Sequence, residues 1–344
     1  MSKIVKSEHG KVVAPAKLTD TAKSFAKASK ADNTRRAYAA QWSKWLAYCE
    51  VNGIDREPPA RAEDVANWIA ERASDGQSVS TLRTAVAAIK AIHTATGLQF
   101  DSTAPAIKMV MAGVVRQKGA HQKQAEPLRG LDVLEIVEAC EATPRGKRDA
   151  ALFALGYVFG LRRSELVALT WQQPGEGDGF VRITAKTIEL TMLRSKTAGG
   201  KPEVVTVPRD ANPAAVKAIE VWVEEAAIEP GSPLLRRVRK GGKVSGAMQG
   251  QSVALVIKSR VQEHFEAKGV PADLAKVEAD KFSGHSLRVG FATTAAEAGA
   301  DLRAIASVTR HASIEMPRRY AMRADQLKTS PHNLEGVGLD RRSL

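Results

Sequence analysis

The chain has 344 residues, 44% hydrophobic and 26% charged, with a formal net charge of +13. That length exceeds one ordinary core and predicts two domains, and the composition excludes a disordered or membrane-embedded chain. The basic excess, spread through both halves, points to an anionic partner, most often nucleic acid and less often a membrane surface, although basic chains are also simply soluble. Cys49 and Cys140 lie far apart inside apolar helical patterns, so they read as small buried hydrophobes of a reducing compartment, with neither a disulfide nor a metal pair. No run of eighteen apolar residues and no hydrophobic signal core occurs, which predicts a cytoplasmic protein with no membrane partner.

Residues 1–18 are polar, basic and aperiodic, and predict a disordered leader. Helical patterns then fill residues 19–118. The longest, NTRRAYAAQWSKWLAYCEVNG, runs from an Asn cap to a Gly stop and sets Tyr38, Trp42, Trp45, Leu46 and Cys49 on one stripe. Arg35, Arg36 and Lys44 lie opposite that stripe. The polar, proline-closed stretch at 119–127 has the composition of a linker.

A second domain is expected over 128–325. It opens with helical patterns in GLDVLEIVEACEAT and GKRDAALFALGYVFGLRRSELVALTW. The period then changes. FVRITAKTIELTML and EVVTVP are β-prone, and the SKTAGGK between them is a hairpin signal. Helices return in PAAVKAIEVWVEEAAIE, SVALVIKSRVQEHFEAKG, HSLRVGFATTAAEAGA and DLRAIASVT. Residues 326–344 form a Gly- and Pro-containing tail, a candidate protomer–protomer contact. The fold class is therefore mainly α with a small β-hairpin or sheet, as a helical domain followed by an α+β domain.

Several side chains carry chemistry, each with a plainer alternative. Arg162 and Glu165 are three apart on a helix, either a surface ion pair or an arginine at a buried stripe in need of a partner. His285 and Arg288 share that spacing at a helix start capped by Ser283 or Ser286. That position suits a phosphate, and the spacing alone is also compatible with accident. Lys196 is a solvated turn lysine or a proton donor at a hairpin tip. His311 lies in a turn nine residues before Tyr320, whose ring is either an ordinary amphipathic one or a nucleophile.

Metal-binding spacings and nucleotide-binding glycine loops are absent, so neither a metal nor a cofactor is expected. Together, two guanidinium groups, a lysine, two imidazoles and a phenol suit attack on a phosphodiester. The arginines neutralise phosphate oxygens, the phenol attacks, and a lysine protonates the leaving oxygen.

In this order the strings GLRRSEL, SKT, GHSLR and RHAS…RRY resemble the motif boxes of the tyrosine recombinases, the phage-integrase family of site-specific DNA recombinases. The layout is Cre-like, and the resemblance spans roughly residues 20–325. It makes 19–118 a core-binding domain that contacts DNA and 128–325 a catalytic domain. It implies Tyr320 as the nucleophile that forms a 3′-phosphotyrosyl link, Arg162 and Arg288 as the phosphate clamp, and Lys196 as the acid for the 5′ oxygen. His285 becomes the general base or proton shuttle, His311 a phosphate hydrogen-bond donor, and Glu165 an orienting carboxylate.

The resemblance further implies a homo-tetramer on double-stranded DNA with inverted-repeat half-sites, and strand exchange through a Holliday junction without metal or ATP. It places the protein with the nucleoid of a prokaryotic host. The same chemistry would serve a type IB topoisomerase-like or telomere-resolving enzyme, and a non-catalytic helical DNA-binding regulator is the alternative from another class. Arg35, Arg36, Arg83, Lys90, Lys258 and Arg260 are the helix-borne cations expected at the DNA. Arg310 departs from the family pattern, which has glycine there, and the tail departs from the usual docking helix.

Overall fold

The computed structural model describes residues 19–21, 24, 25, 32–119, 125–193, 201–311, 313–316 and 318. The leader, Lys196, Tyr320 and the 326–344 tail lie outside the described residues. The chain divides into two compact units, Met1–Lys123 and Gln124–Leu344.

The first unit is helical: α1 (Asp32–Asn52), α2 (Ala62–Ser74), α3 (Val79–Ala95) and α4 (Pro105–Lys118). The aromatic stripe of α1 turns inward as its spacing predicts. Trp45 and Cys49 are buried, and Trp45 meets Trp68 of α2 edge to face at 5.3 Å between centroids. Val65, Ile69, Leu82, Ile89 and Ile107 complete this core. His93, wholly buried, ties the α1–α2 connection to α3. Its Nε2 accepts from the Ala60 N–H at 2.8 Å, so Nδ1 carries the proton and donates to the Ile89 carbonyl at 2.8 Å.

The second unit begins with α5 (Gly130–Ala139), α6 (Pro144–Val158) and the short α7 (Arg163–Val167). A four-stranded sheet follows, in the order β1 (Leu169–Trp171), β2 (Gly179–Ile183), β3 (Thr187–Met192), β4 (Glu203–Pro208). The β1–β2 pair is parallel and the others antiparallel, with Val181 opposite Leu190 and Leu190 opposite Val205. Then come α8 (Pro213–Glu225), the hairpin β5 (Arg236–Val238) and β6 (Val244–Ala247), α9 (Gly250–Ala267), α10 (Ala272–Ala279), α11 (Ser286–Glu297) and α12 (Leu302–Thr309). Helix α6 is buried along nearly its whole length and packs against α5, α8 and α11. Around it Leu152, Phe153, Leu155, Phe159, Leu190, Ile219, Trp222 and Ile257 form one core. The expected class, helix-rich with a small sheet, is what the chain adopts.

Several elements differ from the sequence reading. The apolar run 146–171 is not one helix. It breaks at Phe159–Gly160, resumes as the five-residue α7, and ends as strand β1. The β-prone run 180–193 is two strands, separated where the Thr184 hydroxyl accepts from the N–H groups of Lys186 and Thr187. The β5–β6 hairpin and the eight-residue α10 are too short to show a period. Helix α11 starts one residue after His285, and neither Ser283 nor Ser286 caps it with a side-chain bond. The Ser286 hydroxyl accepts instead from the Ser283 N–H at 2.9 Å.

Candidate active site

Two chain reversals build the site. The first follows α6, where Gly160 adopts φ 52° and turns the chain back toward α7. A Cβ at Gly160 would lie 2.9 Å from Thr309 Cγ2, so the glycine is required by space as well as by torsion. Arg162 then stands at the N-cap of α7, with Glu165 one turn inside. The carboxylate accepts from the Arg162 N–H at 2.9 Å and from its Nη1 at 2.6 Å. Both backbone and side chain of Arg162 are thus held by one buried acid.

The second reversal ends α12. The His311 N–H donates to Ala306 O at 3.0 Å and the Arg310 N–H to Ser307 O at 3.2 Å, the bond pair of a Schellman turn. Arg310 occupies the left-handed position of that turn, φ 52° and ψ 52°, where a side chain costs roughly 1–2 kcal/mol relative to glycine. Its guanidinium is buried, 3% of the residue being exposed. Nη2 donates to Glu165 Oε2 at 2.9 Å and Nη1 to Val308 O at 2.8 Å. The Arg310 carbonyl accepts from Arg162 Nη2 at 3.1 Å, which closes a ring of three residues.

Arg288, in the first turn of α11, is wholly buried and donates from Nη1 to the Gly160 carbonyl at 2.8 Å. His285 precedes it at the helix N-cap. Burial, followed by the charges of Arg288 and Arg162, lowers the His285 pKa below its ordinary value, with Glu165 opposing. His311 falls further, to about 3, through burial and then the charges of Arg288, Arg162, His285 and Arg310. Both imidazoles are therefore neutral at pH 7 in the protein alone. Thr309 Oγ1 donates to Ile305 O at 2.6 Å and so accepts from His311 Nδ1 at 2.7 Å, which places the ring proton on Nδ1. Burial alone would raise the Glu165 carboxyl. The Arg310 charge, then the bonds and charge of Arg162, outweigh it and hold the group below the usual carboxylate range.

The fold thus brings Arg162, Glu165, His285, Arg288 and His311 into one electrostatic cluster, cationic and with neutral imidazoles. Such a cluster is suited to an anion and to proton exchange once an anion binds. Arg310 joins it. Sequence reading singled Arg310 out only as a departure from glycine, and that mismatch was the available signal. The proposed DNA cations divide. Arg36, Arg83 and Lys90 are exposed, Arg35 is half-buried, and Lys258 pairs with Asp280 at 2.7 Å.

Arg260 is a correction. It is buried, and donates to the buried Asp149 at 2.9 Å and to the more exposed Glu141 at 2.9 Å and Glu263 at 2.7 Å, so its charge is spent on carboxylates of this chain. Among the described residues, the metal-capable group within reach of one centre is Asp132, Glu135 and His264. Lys268 already pairs with both carboxylates, at 3.6 Å and 2.9 Å. None of those residues was a predicted site residue. No described helix is long and apolar enough to cross a membrane.

Residues 126–326 match the Phage integrase family, and residues 25–96 match the phage integrase N-terminal SAM-like domain. The chain belongs to the phage integrase family, the tyrosine recombinases. It is 31% identical over 327 residues to an integrase/recombinase xerD homolog of Selenomonas ruminantium, covering 92% of this chain and 89% of that one. It is 25% identical to the recombinase cre of Escherichia phage P1, over 82% and 81% of the two chains. The XerH site-specific recombinase, solved bound to a palindromic difH substrate after cleavage, shares the fold. Its TM-score is 0.55 at 14% identity, over 88% of this chain and 79% of that one. The chain is accordingly a site-specific tyrosine recombinase, and neither the topoisomerase-like or telomere-resolving reading nor the non-catalytic regulator is favoured.

Proposed function

We propose that this recombinase cuts and rejoins duplex DNA by transesterification at Tyr320, with Arg162 and Arg288 binding the scissile phosphate. The observation that carries the reading is the pair of guanidinium groups, one wholly buried and one anchored by Glu165, beside two neutral imidazoles. A phosphodiester at this cluster supplies the anion that the two arginines neutralise as charge builds in the transition state. Loss of one such donor typically lowers turnover about 10²–10³-fold.

The Tyr320 oxygen attacks phosphorus, the bond to the 5′ oxygen breaks, and Lys196 gives that oxygen its proton. His285 takes the phenolic proton, and His311, whose Nδ1–H is held by Thr309, takes up a second proton on Nε2 as the phosphate anion binds and donates it in a hydrogen bond to the phosphate. A neutral imidazole beside an incoming phosphate gains basicity, which suits the shuttle role of His285. Because the phosphotyrosyl bond retains the energy of the broken diester, a 5′ hydroxyl reverses the step without ATP or metal.

Supporting DNA as the partner are the +13 charge and the exposed cations of α1 and α3. The solved relatives add to this, XerH with its difH substrate and the Tn1549 transposon integrase with circular intermediate DNA. The substrate form is duplex DNA with inverted-repeat half-sites, bound by a homo-tetramer that passes through a Holliday junction. The setting is the prokaryotic cytoplasm, at the nucleoid. Covalent selection from a random duplex pool tests the proposal: recovered DNA should carry a 3′-phosphotyrosyl link and converge on an inverted repeat. Recovery of bound DNA with no covalent link at saturating protein would contradict it.

A further inference from the structure

A glycine would satisfy the left-handed end of α12 without strain, so the arginine found there is explained by what its side chain touches. Arg310 reaches both halves of the Arg162–Glu165 pair. Its Nη2 donates to Glu165 Oε2 at 2.9 Å, and its carbonyl accepts from Arg162 Nη2 at 3.1 Å. The Nη1 bonds to Val308 O at 2.8 Å and Phe159 O at 3.3 Å fasten the guanidinium to the ends of α12 and α6.

We infer that Arg310 is a positioning residue for phosphate binding, holding Glu165 in place so that Glu165 and the Arg310 carbonyl fix the plane of the Arg162 guanidinium. Arg162 has five N–H donors in a rigid fork, and the inward bonds from Nη1 and Nη2 set its orientation. A quarter of the Arg162 side chain remains exposed, which is where a phosphate meets it. Without Arg310, Glu165 would keep one cationic partner in a buried setting and would be free to rotate away from Arg162.

Electrostatics agrees with the geometry. Among the influences that lower Glu165, the Arg310 charge comes ahead of either Arg162 bond. The other groups of the cluster are His285, which senses Glu165, together with Arg288 and His311. Both imidazoles are neutral at pH 7, so Arg162 and Arg310 set the ionisation of the acid.

The inference rests on Arg162 being a phosphate ligand, and the experiment separates the two. The probe is a pool of nicked duplexes with randomised flanks, and the readout is the rate of covalent adduct formation across pH. If the wild-type chain forms no adduct, the recombination chemistry itself is contradicted, and the inference falls with it. Given a wild-type adduct, Arg310→Gly, which keeps the turn and deletes the cation, should slow adduct formation at least tenfold. It should also move the acid limb of the profile to higher pH. In a Glu165→Gln background the same change should cost less than threefold, since the acid that Arg310 positions is gone.

An unchanged rate and limb in Arg310→Gly, or an equal loss in both backgrounds, would reduce Arg310 to packing. Should Arg310→Gly not fold, Arg310→Lys decides the matter. Retention of the wild-type acid limb at a lowered rate supports the inference, and an upward displacement of the limb overturns it.

Discussion

Arg288 Nη1 lies 2.8 Å from the carbonyl oxygen of Gly160, and this bond ties the first turn of α11 to the break that ends α6. Two stretches 128 residues apart in sequence therefore share one anchor. The arginine proposed to bind the phosphate is thus held by the carbonyl of a residue in the left-handed conformation.

That anchor makes Gly160→Ala informative. Alanine at φ 52° is strained by about 1 kcal/mol, and its Cβ would press on Thr309 Cγ2, the residue that holds His311. The variant should melt several degrees lower and form covalent adduct at least tenfold more slowly. Arg288→Lys, which keeps the charge and loses the fork, should slow adduct formation comparably with a smaller change in melting. Thermal melting and single-turnover cleavage read both.

Arg260 and the α3 cations should behave in opposite ways. Arg260→Ala leaves Asp149 buried beside Arg148 alone and should destabilise the chain by about 3–5 kcal/mol in urea unfolding. Arg83→Ala and Lys90→Ala should leave stability within about 0.5 kcal/mol, because both side chains are exposed. Each should reduce the salt slope of DNA binding by about 1 if it contacts a phosphate. A reduced slope with a changed site preference would instead mark a base contact.

The histidines predict an acid-side loss of stability in the DNA-free protein. His285 and His311 are depressed below the ordinary value of 6.5, His311 to about 3. Between those limits the unfolded chain binds protons that the folded chain does not, so stability is complete above about pH 6.5 and declines toward pH 3. Glu165, also depressed, adds a loss of the same sign below its ordinary value of 4.5. Urea midpoints measured from pH 7 to pH 4 should fall, and His311→Gln should flatten the slope. An unchanged slope in that variant would contradict the burial assigned to the ring.

Much of the fold was legible because its signals are local. The aromatic spacing in α1 predicts which face holds Trp45 and Cys49, and the β-branched runs predict the β3–β4 pair. The break at Gly160 was hidden because apolar residues continue on both sides of it, leaving a single glycine as the sign. Arg260 was misplaced for a different reason. Nothing in its helix tells that the face it occupies meets Asp149, a residue 111 positions away. The site residues were legible as strings in order, whereas the ring of Arg162, Glu165 and Arg310 depends on a turn that the sequence disguises by putting arginine where glycine fits best.

The central claim concerns Tyr320, and covalent capture tests it most directly. A nicked duplex chosen from the selected pool is incubated with wild-type and Tyr320→Phe protein, and the adduct is mapped by peptide mass. The wild type should carry the 3′ phosphate on Tyr320, while Tyr320→Phe should bind the duplex with similar affinity and form no adduct. An adduct that persists in Tyr320→Phe, or maps to another residue of the wild-type chain, would contradict the account.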